Sequence, residues 1–366
     1  MVNRSGMSSY RRRLSLAFRR IPCSCCNFLI PAVASLVSVE ASHGGTTVAT
    51  APVGYFEETL APSASGTARA FSTVSFPLHQ TPVFVGLVAS VSGNTITLNG
   101  SSPSGLTASP YMAHVESSSN SIATGQTFLV TAAGTNSVTV SSPAFPVQSI
   151  LTTNDQVAIR GAETLGSLFG STNSTVLLQG GLSAGSSDIV YVWNGAGYNS
   201  YYYYTSYGWV QDGDATYAIQ NNLVIYPDEG VIVARLSTDN LPAAYALSMG
   251  TVPSNAQAAL VNAPGFTLVS NPLPVSLSLS QYGFTNSPSW LEGESAGSSD
   301  LVYLWTGTGW QDYYYYSGYG WVQDGDATYT LQTNTPIPAG SAVMVERRDA
   351  VSAVNSYIPI ALTYTP

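Results

Sequence analysis

The chain contains no lysine. All 11 positive charges are arginines, and six of them (Arg4, Arg11, Arg12, Arg13, Arg19 and Arg20) lie within the first 20 residues. Beyond residue 44, five arginines face 19 acidic residues, a net charge of −14. A surface of that sign repels a phosphate backbone, which argues against nucleic acid as a partner. Cysteine is almost as scarce: Cys23, Cys25 and Cys26 are the three, and none follows. The rest of the chain must hold together through packed cores, without disulfides. Apolar runs with 3.6-residue periodicity, capped ends and a charged face are missing, which argues against a helical bundle. Glycine-rich phosphate and dinucleotide loops are absent as well. His79 and His114 lack metal-ligand spacing. No catalytic residue, cofactor or metal is expected, and the chain does not read as an enzyme.

The arginine-rich start runs into IPCSCCNFLIPAVASLVSVEASHG. Its mostly apolar part, from Asn27 to Val39, is too short for an ordinary membrane span. Behind a basic head it suits the apolar region of a secretory leader. Residues 1–44 are therefore expected to form a signal peptide, cleaved near the small residues between Ala41 and Gly44. Neither Cys25 nor Cys26 follows the aliphatic box of a lipoprotein. The mature protein is expected to be secreted, extracellular or cell-surface associated, with no membrane span after leader removal.

The remainder is organised by repetition. SAGSSDIVYVWNGAGYNSYYYYTSYGWVQDGDATY, from Ser183 to Tyr217, returns as SAGSSDLVYLWTGTGWQDYYYYSGYGWVQDGDATY from Ser295 to Tyr329, an offset of 112. FSTVSFPL from Phe71 returns as FTLVSNPL from Phe266, an offset of 195. The two offsets differ by 83, as expected if one unit was duplicated and about 83 residues, roughly Val83 to Thr164, were inserted into the first copy. Within that insertion, FVGLVASVSGNTITLNG and TFLVTAAGTNSVTVSS each place β-rich runs around a glycine turn, and NDQVAIRG reads as a further strand. Short strands at this density suggest a small barrel or sandwich. The expected fold is all-β: two related β-sandwich-like units, the first interrupted by a small β-barrel-like insertion. The boundaries are 45–82 with 165–240 for the first unit, 83–164 for the insertion and 241–366 for the second. NAQAALVNA, from Asn255, reads as two helical turns, and VSLSLSQ alternates as a strand.

Four consecutive tyrosines occur twice, Tyr201–Tyr204 and Tyr313–Tyr316. A strand sends successive side chains to opposite faces, so they cannot form one platform. One pair is expected in the core, with the other solvent-exposed or covered by the neighbouring unit. Tyrosine suits either place, because its ring is apolar and its hydroxyl reaches water. The candidate ligand-binding residues are Tyr207, Trp209 and Asp212 in the first copy and Tyr319, Trp321 and Asp324 in the second. Aromatic rings there would stack on sugar faces while the acids bond hydroxyls. The opposing expectation is a core-and-turn motif repeated because the fold was duplicated. Asp212-Gly213-Asp214 offers oxygen ligands but lacks the later ligands of a calcium loop, and it reads as a turn.

PVGYFEETL, FSTVSFPL, FTLVSNPLP, DLVYLWTGTGWQDYYYY and VMVERR together resemble a family of secreted proteins from Verrucomicrobia and related bacteria. The LVSNPLP and LVYLWTGTGW pairing is also similar to β-sandwich modules of exported Bacteroidetes proteins. Phe76 departs from that pattern, standing where the second copy has Asn271. The resemblance implies surface association or scaffolding and carries no catalytic residue. The expected function is that of a non-catalytic exported surface or structural protein. The alternative is a carbohydrate-binding module. The partners would be a polysaccharide or cell-envelope component, or a second copy of the chain.

Overall fold

The computed structural model describes residues 52–365, apart from 63–68, 101–104, 107–109, 143–145, 176, 237–243, 263, 288 and 349–355. The expected leader, 1–44, lies outside the described residues. The chain opens with β1 (Val53–Leu60) and β2 (Ala70–Val74). It then enters β3 (Pro82–Ser92), β4 (Thr95–Leu98), β5 (Tyr111–Ser117), β6 (Thr127–Ala133), β7 (Ser137–Ser141) and β8 (Gln156–Gly161). These six strands close into a barrel in the order β3-β4-β7-β6-β5-β8. Closure removes the free edges that short strands would otherwise expose. Val88, Ile96, Phe128, Val138, Val157 and Ile159 fill its interior.

After the barrel come β9 (Glu163–Thr164), helix α1 (Leu165–Phe169), β10 (Ile189–Trp193), β11 (Tyr198–Tyr204), β12 (Gly208–Gln211), β13 (Val224–Ile225), β14 (Val231–Arg235) and β15 (Ala244–Thr251). The second copy follows as β16 (Gln257–Val261), β17 (Gly265–Ser270), β18 (Leu277–Ser278), helix α2 (Leu279–Tyr282), β19 (Leu301–Trp305), β20 (Trp310–Tyr316), β21 (Gly320–Gln323), β22 (Pro336–Ile337), β23 (Ala342–Arg347) and β24 (Ser356–Ile360). The two main sheets are strand-for-strand equivalents, β12-β11-β10-β14-β2 and β21-β20-β19-β23-β17. Even their registers agree: Thr73 pairs with Ile232, and Leu268 with Met344. Shorter pairs complete each copy, β1–β15 with β9–β13 and β16–β24 with β18–β22. The expected all-β architecture, with a barrel interrupting the first of two sandwich-like units, is what the chain adopts.

Three local expectations are corrected. The boundary expected at 240/241 puts Ala244–Thr251 in the second unit, but this strand pairs along its length with Val53–Leu60 of the first. The copies therefore meet after Thr251. Within NAQAALVNA, Gln257–Val261 is a strand, because β24 supplies an antiparallel partner. VSLSLSQ holds only two strand residues before α2 begins. Ser278 and Gln281 form a capping box there, each side chain accepting the other's backbone N–H, and this local bonding overrides the alternating pattern.

The two copies pack on each other about an approximate two-fold relationship. Ser75 N–H donates to the Gly340 carbonyl at 2.6 Å, and Ser270 N–H donates to the Asp228 carbonyl at 2.9 Å. Ser75 and Ser270 are one position of the repeat, and Asp228 and Gly340 another. Such reciprocal contacts are those of an isologous dimer interface, here made within one chain.

Candidate functional site

The tyrosine strand serves two layers. Tyr201 and Tyr203 lie in the first sandwich core with Val190, Val233 and Phe169. Tyr202 is also buried, on the opposite face. In the second copy, Tyr314 on that face packs with Ala296, Leu301 and Val322. The β10–β11 hairpin that delivers this strand turns at Gly195, whose φ is 90°. Asn194 Oδ1 accepts the N–H groups of Ala196 and Gly197 at 3.0 and 2.9 Å, so the turn is bonded by its own side chain.

The predicted ligand set divides. Trp209 is 0% exposed and Trp321 2%. The Trp209 indole N–H donates to the Gly170 carbonyl at 2.7 Å, and its ring meets Tyr203 and Phe169 at 5.9 and 6.0 Å. Trp321 meets Phe284, Trp290 and Tyr315 at 5.8, 6.0 and 5.7 Å. Neither indole can reach a sugar, so both tryptophans leave the candidate set. An indole with an apolar body and one satisfied N–H is a core residue.

Tyr207 and Tyr319 are 49% and 52% exposed, and Asp212 and Asp324 are exposed as well. Tyr207 and Asp212 do not converge. Tyr207 follows Tyr204 at the turn, whereas Asp212 N–H bonds Ser200 O. Four strand residues separate the two places, about 13 Å. The structure instead assembles tyrosines: Tyr204 lies 5.9 Å from Tyr207 and 5.6 Å from Tyr217. Tyr316 repeats this with Tyr319 and Tyr329, at 5.9 and 5.7 Å.

The second aspartate of each Asp-Gly-Asp is spent on its own turn. Asp214 accepts from Thr216 N–H, Thr216 Oγ1 and Ala218 N–H at 2.9, 2.7 and 3.0 Å. Asp326 does the same with Thr328 and Thr330. These bonds favour the anion and lower the Asp326 carboxyl to about 2. Asp188 and Asp300 have a different use. Asp300 is fully buried, pairs with Arg347 Nε at 2.7 Å, and accepts the N–H groups of Leu291 and Arg348 at 2.8 Å each. Asp188 accepts from Gln179 and Leu236 and stands 3.7 Å from Arg235. These acids tie the loop ahead of a central strand to the neighbouring strand of the same sheet.

Two clusters gather residues far apart in the chain. At the barrel junction the buried rings of His79 and His114 meet edge to face at 4.8 Å. Arg160 there pairs with Glu116 and donates to the Gln80 carbonyl at 2.8 Å. Burial, with the Arg160 charge adding, holds His114 down at about 3 and His79 well below its ordinary range. The cavity beside them is about 30 Å³, the size of one water molecule. Among the described residues, no group of three or more His, Cys, Asp or Glu side chains could hold a metal ion.

The second cluster lies between the two copies. Phe71, Thr73, Tyr191, Tyr198, Ile232, Trp305 and Trp310 line a half-open cleft of about 310 Å³. Tyr198, Trp305 and Trp310 belong to the repeated β10–β11 and β19–β20 hairpins. Nothing local marks them, because the cleft forms where the outer faces of two sheets meet. The available signal was the difference between copies, Thr73 against Leu268 and Ile232 against Met344.

Compared with known protein families, curated proteins and solved structures, the chain matches none of them. Among the described residues no helix is long and apolar enough to cross a membrane.

Proposed function

We propose that the protein is a non-catalytic exported β protein of the cell surface, acting as a rigid scaffold. One observation carries this reading. Of the residues repeated without change between the copies, Trp209 and Trp321, Asp188 and Asp300, and Tyr201 and Tyr313 are engaged in cores and buried ion pairs. Their repetition serves architecture. The basic leader-like start and the resemblance to exported sandwich modules support location outside the cell. A second reading, polysaccharide contact, rests on the exposed Tyr207/Tyr217 and Tyr319/Tyr329 clusters, which each copy presents in the same form.

Cell fractionation of the full chain, with N-terminal sequencing of the product, tests the first reading. A mature protein beginning near residues 42–45 in the medium or envelope fraction is expected, and an uncleaved cytoplasmic product overturns it. Pull-down on cell-wall and storage polysaccharides tests the second. Binding lost in Tyr207→Ala with Tyr319→Ala, in a folded protein, would establish polysaccharide contact.

A further inference from the structure

The approximate two-fold relationship is broken at one place. On the second copy's side of the interface, Leu268, Ala342 and Met344 form a closed apolar cluster against Trp193, Ile232 and Tyr303. The equivalent positions on the first copy's side are Thr73, Gly230, Ile232, Trp305, Met344 and Tyr191. At the two of these positions that line the cleft, leucine has become threonine, which is smaller, and methionine isoleucine, which is shorter. The outcome is the cleft of about 310 Å³ over Phe71, Thr73 and Ile232. The volume is that of a small-molecule site at a domain interface.

The lining restricts the ligand. Five of its seven residues are aromatic, and none carries a charge. The rings meet steeply: Phe71 and Trp305 at 71°, Trp305 and Trp310 at 63°, Tyr191 and Tyr198 at 82°. Flat rings in parallel plates would suit a flat ligand. Walls at these angles make a box, which suits a rounded group. Thr73, Tyr191 and Tyr198 are the lining residues with a hydroxyl, and that of Tyr198 is directed to Met344 Sδ at 4.0 Å, which leaves too few for the hydroxyls of a sugar ring. Trp305 Nε1 is held by the Phe71 carbonyl at 3.2 Å. Aromatic rings attract cations through their quadrupole, most strongly where water is excluded. Beyond residue 44 the chain carries five arginines against 19 acids, a balance that draws cations in.

We infer that this cleft is an aromatic cage for a quaternary ammonium group, of the choline type, built where the duplicated copies diverged. The ligand is a methylated ammonium, either free or on a lipid headgroup. The site is separate from the tyrosine clusters and does not depend on polysaccharide contact.

The test uses the full chain from residue 45 onward, with choline chloride as probe and 3,3-dimethylbutan-1-ol as its uncharged isostere. Binding is followed by tryptophan fluorescence and calorimetry at matched ionic strength. Saturable choline binding is expected, with the neutral isostere weaker by about tenfold. Thr73→Leu restores the residue of the closed side, and it should abolish binding while leaving or raising thermal stability. Trp310→Ala, at a side chain 38% exposed, should weaken choline by at least about tenfold in a folded protein. Phosphatidylcholine and phosphatidylglycerol vesicles separate the sources: sedimentation with the former alone, competed by choline, assigns a lipid headgroup, and choline binding without sedimentation assigns a soluble ligand. Equal affinity for the neutral isostere, saturation by glucose or cellobiose in place of choline, choline binding unchanged in Thr73→Leu and Trp310→Ala, or no saturable choline binding by the folded protein each overturns the inference.

Discussion

Gly230 and Ala342 are the same position in the two copies, and they meet. A Cβ placed on Gly230 would overlap the Ala342 Cβ and approach Leu268 Cγ to 3.2 Å. Beside them, Gly230 N–H donates to the Leu268 carbonyl at 3.2 Å. The copies therefore approach backbone to backbone, and one of the two equivalent residues must have no side chain.

Gly230→Ala is accordingly expected to destabilise the protein by about 1–3 kcal/mol through overpacking. Ala342→Gly in the same chain should recover most of the loss, because it transfers the vacancy to the partner position. Urea unfolding of the single and double variants checks this, and additive losses would contradict it.

Trp209→Ala and Trp321→Ala should each cost about 3–5 kcal/mol, the range for deleting a buried large aromatic. Tyr207→Ala and Tyr319→Ala, at exposed ring clusters, should cost about 1 kcal/mol or less. Thermal melts of the four variants separate architecture from surface. Losses of equal size would contradict the assignment of the tryptophans to the cores.

Asp300→Ala should cost about 3–5 kcal/mol, since it strands the buried Arg347 charge. Adding Arg347→Met should cost less than the sum of the two single losses, because the stranded charge is then gone. The double-mutant cycle measures that coupling. Asp188→Ala should show weaker coupling to Arg235, given the longer 3.7 Å separation.

Stability should also depend on pH in a way that can be assigned to residues. The junction histidines are held neutral when folded, with His114 at about 3. Their contribution is complete above their ordinary value of 6.5 and is lost as pH falls below it, because the unfolded chain takes up protons that the folded one refuses. Glu229 behaves oppositely. Desolvation, with Asp228 adding, raises it from 4.5 to about 8. Its contribution is complete below 4.5 and is lost as pH rises towards 8. Between pH 6.5 and 8 the histidine contribution is flat, so stability should fall, by up to about 1.4 kcal/mol per pH unit for one such group. Glu58, raised to about 7, adds to the lower part of that range. Unfolding midpoints across this window should decline in the wild type, and Glu229→Gln should remove much of the slope. An unchanged slope in the variant would contradict the assignment.

Much of the architecture was legible because a duplication writes itself into the sequence. Offsets of 112 and 195 expose the repeat, and their difference exposes the insertion. The split of the four tyrosines between two faces follows from strand geometry alone. For Trp209 the sequence offers both a core-and-turn role and a sugar-stacking role without deciding between them, and it does not show the Asp300–Arg347 pair. An aromatic beside an Asp-Gly turn looks the same whether its face meets solvent or Phe169, and Phe169 lies 40 positions earlier. The copy to which Ala244–Thr251 belongs is not legible either, because its partner, β1, begins nearly 200 positions away.

The sequence by itself determined the fold class, the two-copy plan and the location of the insertion, since strand periodicity, glycine turns and repetition are local or self-referring signals. Tertiary structure alone decided which aromatics are buried, which histidines meet at the barrel junction, and where the copies enclose a cleft. Those outcomes depend on side chains brought together from distant segments. Thr73 and Trp305 share a wall of that cleft across 232 positions of chain, and no local pattern encodes a contact of that range.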